Sequence, residues 1–296
     1  MQLRQRSSFA DRSIGLRSER NAATLAAHVR PESQPMPSAS ALDASAVTVH
    51  RDGNGPPLVL LHCLGVDHRF WDFAAPLAAD VTLLRYDLPG HGASAVPGAA
   101  YGIEHLSAQL ADVLAAHKIA RAHVAGISLG GLIAQHFAAT RPELVDRMIL
   151  IDTTPRYTDE LRAMWDARAT TARAAGVAPM IPALLAIWFS ADAVERNDAG
   201  VRYVRETLAR CRGEGYALAC EALKAADLRA LAPKIAARTL VVCGDDDIPS
   251  FLDAARWLAG TIPSAELAWI KGAKHASVIE RPEEARRLMR TFLMQG

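Results

Sequence analysis

A serine enclosed by glycines has the setting in this chain that most clearly permits covalent chemistry. Residues 126–130 read Gly-Ile-Ser-Leu-Gly, with Ser128 at the centre. Residues 123–125 before it are strand-like, and residues 131–139 after it have the character of a helix. A Gly-x-Ser-x-Gly segment between a strand and a helix predicts a turn so tight that only glycine leaves room beside the serine. Ser128 is therefore our candidate nucleophile, and the competing interpretation is a serine that caps the helix.

A serine nucleophile needs a base, and the base needs an acid that orients it. When the serine lies on such a turn, the three residues occur along the chain in the order Ser, Asp or Glu, then His. His275 is the only histidine after residue 136, and it follows a strand-like run at 267–270. The order and this position make His275 the candidate base.

Several carboxylates could serve as the acid. Residues 245–247 are three consecutive aspartates after a strand-like run at 239–243, and Asp152 follows another such run. Three adjacent carboxylates are also typical of a solvated acidic turn. The residues alone therefore leave Asp247, Asp246 and Asp152 open.

The oxyanion formed in acyl transfer needs hydrogen-bond donors, commonly main-chain amides. One donor should be the amide after the serine, Leu129, and the other should lie in the loop after an earlier strand. We assign the second donor to Leu64. The sequence shows no spacing of residues typical of metal ligands. It also shows no phosphate-binding glycine loop, because residues 89–92 lack the Gly-x-Gly-x-x-Gly pattern. We therefore expect no metal and no cofactor.

The elements that must position these residues alternate between strands and helices. Strand-like runs occur at 47–50, 58–61, 81–86, 123–125, 148–151, 239–243 and 267–270, and a helical period at 105–117. This alternation predicts an α/β fold whose mostly parallel sheet carries helices on both faces. Chemistry is then expected at the carboxyl ends of the strands.

The predicted domain organisation follows from changes in composition along the chain. Residues 1–44 are rich in Arg and Ser without a hydrophobic signal segment, and we expect a disordered N-terminal extension. Residues 45–153 and 232–296 form the two parts of the α/β core. Residues 154–231 lack strand patterns and predict a helical lid inserted between two strands.

Composition limits the classes of partner. The 33 basic and 32 acidic side chains leave a net charge of +1, which argues against nucleic acid or a membrane surface as partner. No apolar window reaches the roughly 18 residues of a membrane-spanning helix. The four cysteines lack paired spacing and favour free thiols in a reducing cytoplasm. The oligomeric state stays open.

From about residue 47 onward the chain resembles the α/β-hydrolase family. The resemblance rests on residues 61–65, 85–94, 126–130, 244–247 and 272–275. It implies an α/β-hydrolase fold with a Ser-Asp-His triad. In this family the acid stands three positions after the glycine that ends its strand, which favours Asp247.

Within that family the chain resembles more closely the 3-oxoadipate enol-lactonases. The similar segments are residues 68–72, 187–189 and 215–229, the last two in the predicted lid. The resemblance implies hydrolysis of a small enol-lactone in aromatic catabolism, with Trp188 as a candidate substrate-binding residue. The substrate carboxylate should meet a lid cation, and the candidates are Arg162, Arg168, Arg202 and Arg205.

The same machinery permits other activities. A general carboxylesterase, a hydrolase of carbon–carbon bonds in vinylogous diketones and a cofactor-free perhydrolase all use this arrangement. A different class is a non-catalytic ligand receptor with this fold. Such receptors often lose a triad member, whereas this chain has all three candidates.

Overall fold

The structure is a computed structural model that describes Leu42 and residues 47–295. The predicted extension at 1–44 lies, apart from Leu42, outside the described residues.

Seven strands form one sheet. The strands are β1 Val49–Asp52, β2 Pro57–Leu61, β3 Thr82–Tyr86, β4 Ala122–Ile127, β5 Val145–Ile151, β6 Arg238–Gly244 and β7 Ala265–Ile270. Their order across the sheet is β1-β3-β2-β4-β5-β6-β7. Only β1 is antiparallel to its neighbour, so the predicted mostly parallel sheet is confirmed.

The strands form where apolar residues run without interruption. All six residues of β4 are buried, as expected for a parallel strand covered on both faces. The first strand differs from our prediction at 47–50 and begins two residues later. It lies at the sheet edge and its last two residues, Arg51 and Asp52, are exposed. Its bounds are therefore set by backbone pairing with β3 rather than by an apolar pattern.

Helices cover the sheet. They are α1 Ile103–Ala116, α2 Leu129–Thr140, α3 Asp159–Ala175, α4 Ile181–Trp188, α5 Ala191–Arg196, α6 Ala199–Arg210, α7 Gly213–Ala225, α8 Pro249–Thr261, α9 Ser277–Glu280 and α10 Pro282–Met294. A 3₁₀-helical segment spans His68–Ala79. Within the described part of the chain, no helix combines the length and apolarity needed to cross a membrane.

Five of these helices, α3 to α7, lie between β5 and β6, and we call residues 159–225 the helical insertion. Its two ends meet, because Arg156 and Asp227 form an isolated antiparallel bridge. Nearby, the Leu228 N–H donates to the Pro155 carbonyl at 2.8 Å. The insertion thus rises from a narrow neck at the carboxyl edge of the sheet, where the candidate site residues also lie.

Candidate active site

Ser128 occupies a strained turn between β4 and α2. Its φ of +51° lies in the left-handed region, which residues with a side chain rarely adopt. A Cβ on Gly126 would lie 2.1 Å from the Gly130 carbonyl oxygen, and one on Gly130 would lie 2.1 Å from the Leu61 oxygen. Both glycines are therefore required. The Thr153 hydroxyl donates to the Ser128 carbonyl at 2.8 Å and holds the turn in place.

The side chain of Ser128 makes no capping hydrogen bond to α2. The structure therefore does not show the competing helix-cap role. Since α2 begins at the next residue, the hydroxyl sits at the positive end of a helix.

His275 and Asp247 form a buried hydrogen-bonded pair. His275 Nδ1 lies 2.8 Å from Asp247 Oδ2, and the other oxygen of Asp247 accepts from the Ile248 N–H at 2.7 Å. Burial disfavours the imidazolium, but the charge and hydrogen bond of Asp247 act against burial and raise the pKa of His275 above its usual value. An orienting carboxylate holds the imidazole so that Nε2 is the nitrogen available as a base.

The other two candidate acids lie elsewhere. Asp246 is exposed on the turn after β6. Asp152 is fully buried at the end of β5, where one oxygen accepts from the Gly244 N–H at 3.0 Å. Its other oxygen accepts from the N–H and the hydroxyl of Ser277, at 3.1 and 2.7 Å. Burial and the nearby Asp247 charge raise the pKa of Asp152.

The two candidate oxyanion donors are main-chain amides near Ser128. In the part of the chain that the structure describes, neither the Leu64 N–H nor the Leu129 N–H donates a backbone hydrogen bond. Leu129 is the first residue of α2, where helices leave N–H groups unpaired. Both amides are therefore available to an anionic oxygen.

A small cavity of about 40 Å³ lies between the carboxyl edge of the sheet and the helical insertion. It is lined by Leu64, Ser128, Tyr157, Leu161, Met164, Trp165, Arg168, Ile187, Trp188, Ile248, Phe251 and His275. The lining is mostly apolar, and this volume holds only a few water molecules. Helices α3 and α4 contribute the wall of the cavity that faces the sheet edge.

Trp165 and Trp188 of the insertion both line this cavity. Trp188, our candidate substrate-binding residue, is 6% exposed, and its ring centroid lies 6.3 Å from that of His275. Its carbonyl also accepts from the Ala276 N–H at 2.9 Å. Trp188 thus lines the cavity and fixes the insertion to the loop that carries His275.

Of the four candidate lid cations, Arg168 is the one found in the cavity lining of the described structure. Its guanidinium lies 5.0 Å from the centroid of the Trp165 ring. Arg202 and Arg205 instead donate to the backbone and side-chain oxygens of Asn197. Among the described residues, Arg168 forms no ion pair with a carboxylate, so its charge is available to a ligand.

Comparisons with known proteins agree with this geometry. The sequence profile of the alpha/beta hydrolase family matches residues 58–288. The chain belongs to the α/β-hydrolase family. It is 31% identical to a 3-oxoadipate enol-lactonase of Acinetobacter baylyi over 77% of this chain and 85% of that protein. It is 34% identical to a pimeloyl-[acyl-carrier protein] methyl ester esterase of Chromobacterium violaceum, covering 78% and 92%.

A solved structure gives the same result. The crystal structure of the enol-lactonase from Burkholderia xenovorans LB400 matches with a TM-score of 0.81 and 34% identity, covering 84% of this chain and 96% of that one. The predicted family and fold are confirmed, and the relatives support a hydrolase. They differ in substrate, so they leave the substrate of this α/β hydrolase open.

Two further histidines of this hydrolase stabilise loops. His62 Nδ1 lies 2.8 Å from the Cys63 carbonyl, and its Nε2 accepts from the Leu88 N–H at 2.9 Å. Burial lowers the pKa of His62, which favours the neutral ring that this bonding requires. His91 Nδ1 lies 3.0 Å from the Pro89 carbonyl. These contacts fasten the loop after β2, which carries Leu64, to the loop after β3.

Among the residues that the structure describes, two groups of side chains are close enough to hold a cation. One consists of Asp152, Cys243 and Asp247, whose carboxylate oxygens accept from N–H groups as described above. The other consists of Asp67, His68 and Asp87, in which both carboxylates also accept hydrogen bonds from protein donors. Protein donors thus account for the buried carboxylates in both groups.

Sequence reasoning missed Tyr157 and Phe251, which line the cavity. The Phe251 ring centroid lies 4.4 Å from that of His275. Neither residue belongs to a motif or a periodic pattern. Their one signal is a position a few residues beyond the carboxyl ends of β5 and β6.

Proposed function

We propose that this hydrolase is a serine hydrolase that opens a small enol-lactone bearing a free carboxylate, of the 3-oxoadipate type. The observation that carries the proposal is one cavity lined by Ser128, His275 and the unpaired cation Arg168. Asp247 supports His275 from outside that cavity. The similarity to enol-lactonases supports this substrate class.

The first half of the reaction forms an acyl-enzyme. His275 takes the proton of the Ser128 hydroxyl while the serine oxygen attacks the lactone carbonyl. Asp247 stabilises the resulting imidazolium. The Leu64 and Leu129 amides bind the oxyanion, and such donors each lower the barrier by about 3 kcal/mol.

Collapse of the tetrahedral adduct completes the acyl-enzyme of the first half, and hydrolysis in the second half releases the product. The ring C–O bond breaks, His275 returns its proton to the departing enol oxygen, and the leaving group stays tethered to the acyl chain. The enol tautomerises to the ketone, which makes ring opening hard to reverse. Water activated by His275 then hydrolyses the ester to Ser128 and releases a 3-oxo dicarboxylic acid.

The helical insertion supplies specificity in this proposal by acting as a lid. Arg168 binds the substrate carboxylate, and Trp188 forms an apolar wall beside His275. The four free cysteines, three of them buried, fit a reducing cytoplasm as the compartment. Aromatic catabolism is the proposed pathway, on the similarity of the chain to 3-oxoadipate enol-lactonases.

A paired-substrate measurement tests the proposal. The kcat/KM of the enol-lactone carboxylate is compared with that of its methyl ester for the wild type, Arg168→Met, Arg162→Met and Ser128→Ala. A charged hydrogen bond is worth about 1.5–3 kcal/mol, so Arg168→Met should lose roughly 10–100-fold on the carboxylate. The neutral ester should lose less than about two-fold.

Arg162→Met is the matched control, because it removes a cation from the same helix without touching the cavity lining. Ser128→Ala should abolish turnover of both substrates. Turnover by Ser128→Ala at the wild-type rate would contradict the mechanism. Absence of lactone turnover by the wild type would contradict the substrate.

A carboxylesterase is the second candidate function. It is favoured by the 34% identity to the methyl ester esterase of Chromobacterium violaceum. A panel of p-nitrophenyl esters separates the two functions. An esterase should prefer an ester of the panel over the lactone, whereas the proposed lactonase should show the reverse preference.

A further inference from the structure

Tyr157 is a cavity residue that the proposed mechanism has not used. It lies in the loop after β5 and is 1% exposed. Its ring meets Trp165 edge-on at 5.2 Å between centroids and Phe251 at 6.2 Å. Aromatic contacts on two sides fix the ring, and with it the direction of the hydroxyl.

The hydroxyl of Tyr157 is buried without a hydrogen-bond partner among the described residues. Tyr157 and Ser128 line the same small cavity, and no hydrogen bond joins the two side chains in the described structure. Buried hydroxyls are nearly always paired, because desolvation without a partner costs free energy. A hydroxyl left unpaired beside a nucleophile is suited to a partner that arrives with the substrate.

The sheet order indicates which substrate atom this partner is. Ser128 follows β4, and the oxyanion donor Leu64 comes from β2 on one side of it. His275 comes from β7 on the other side, and it must face the leaving oxygen to protonate it. Tyr157 follows β5, on the same side as His275.

We propose that Tyr157 is a catalytic residue whose hydroxyl donates a hydrogen bond to the leaving-group oxygen of the substrate. The proposal rests on the proposed function of Ser128 as nucleophile. Tyr157 keeps its proton throughout, since burial raises the pKa of its hydroxyl. It stabilises the charge that builds on the departing oxygen until His275 delivers the proton.

The substitution Tyr157→Phe removes only this hydroxyl. We expect kcat/KM to fall about 10-fold or more for an ethyl ester, whose poor leaving group carries most charge, with less effect on the p-nitrophenyl ester of the same acid. The melting temperature should stay level or rise, because an unpaired buried hydroxyl is lost. A tyrosine with a purely structural role would show no dependence on the leaving group.

Tyr86→Phe is the matched control. Tyr86 is also 1% exposed with an unpaired hydroxyl, but it lies on β3 and outside the cavity lining. The Tyr86→Phe substitution should shift the melting temperature by about as much as Tyr157→Phe does. Its kcat/KM should stay within two-fold of the wild-type value. Equal losses on both esters by Tyr157→Phe, or no loss on either, would overturn the proposal. Turnover by Ser128→Ala, measured in parallel, would instead overturn the proposed function.

Discussion

At the scale of residues, the site combines features that cost stability. Ser128 and Asp152 both have positive φ, at +51° and +42°, and Asp152 is a buried carboxylate close to that of Asp247. Such local costs persist where the surrounding structure enforces them, and they concentrate at functional sites. The hydrogen bonds of Asp152 to Gly244 and Ser277 offset the free-energy cost of burying its carboxylate. They also fix the turn and the loop that carry the proposed acid and base.

We call the hydrogen bonds of Asp152 to Gly244 and Ser277 the clamp, and the substitution Asp152→Asn tests it. Gly244 N–H faces one carboxylate oxygen and Ser277 N–H faces the other, so an amide must turn its NH₂ group toward one of them. We expect kcat to fall roughly 10–100-fold through misplacement of the pair, with KM nearly unchanged. The loss should be seen in steady-state kinetics with any turned-over ester.

The same variant has a predicted pH dependence. The Asp152 charge raises the pKa of His275, so its removal lowers that pKa. His275 acts as a base above its pKa, and the acid limb of kcat/KM should therefore move to lower pH. The other titratable groups beside Asp152 are Cys63, Cys243 and Asp247.

Asp253→Asn is the charge control, since it removes an aspartate that is 78% exposed on α8. An unchanged kcat and acid limb in Asp152→Asn would refute the clamp.

The sequence predicts some of the candidate site residues better than others. The order of residue types was enough to single out Ser128 and His275, because each stands in a distinctive position after a strand. The choice of Asp247 over Asp152 needed the family resemblance, since both follow buried strands. Tyr157 could not be found, because its place in the cavity lining depends on the path of the loop after β5.

At the scale of elements, the helical insertion and the loop that carries His275 are joined by a buried carboxylate. The Glu280 side chain, 1% exposed, accepts from the N–H of Ser190 at 3.0 Å and from the N–H of Lys274 at 3.2 Å. It also accepts from the Ser190 hydroxyl. Ser190 precedes α5 and Lys274 precedes His275, so Glu280 links the insertion to the loop that carries the candidate base.

Glu280→Gln should weaken this junction. The amide has one acceptor oxygen, so either Ser190 or Lys274 loses its partner, at a cost of about 1–3 kcal/mol. We expect a lower melting temperature together with a lower kcat for ester hydrolysis. Glu283→Gln, an exposed change on α10, should alter neither. A lower melting temperature with wild-type kcat would show that the junction serves folding alone.

The elements differ in how well the sequence predicts them. Long apolar runs such as those of β5 and β6 are well predicted as strands, because strands covered on both faces have nearly continuous apolar sequences. The prediction of a helical insertion rests on the lack of strand patterns in that part of the chain. The 3₁₀ segment His68–Ala79 was not predicted, since Pro76 lies inside it and proline disfavours a helix interior.

At the scale of the whole molecule, the parallel sheet brings together residues far apart in the chain. Parallel strands end at one edge, so Ser128, Asp247 and His275 meet although 147 positions separate the first from the last. Fold and family follow from this arrangement. In the proposed function, substrate choice rests on the insertion, whose packing over the cavity the sequence does not specify locally.

The central claim is that Ser128 is a nucleophile activated by His275. The most direct test is mass spectrometry of the protein after reaction with a fluorophosphonate probe, with the modified peptide sequenced. The account predicts one adduct per chain, on Ser128, and none in the His275→Gln variant. An adduct on another residue, or an unlabelled wild type that still hydrolyses esters, would contradict it.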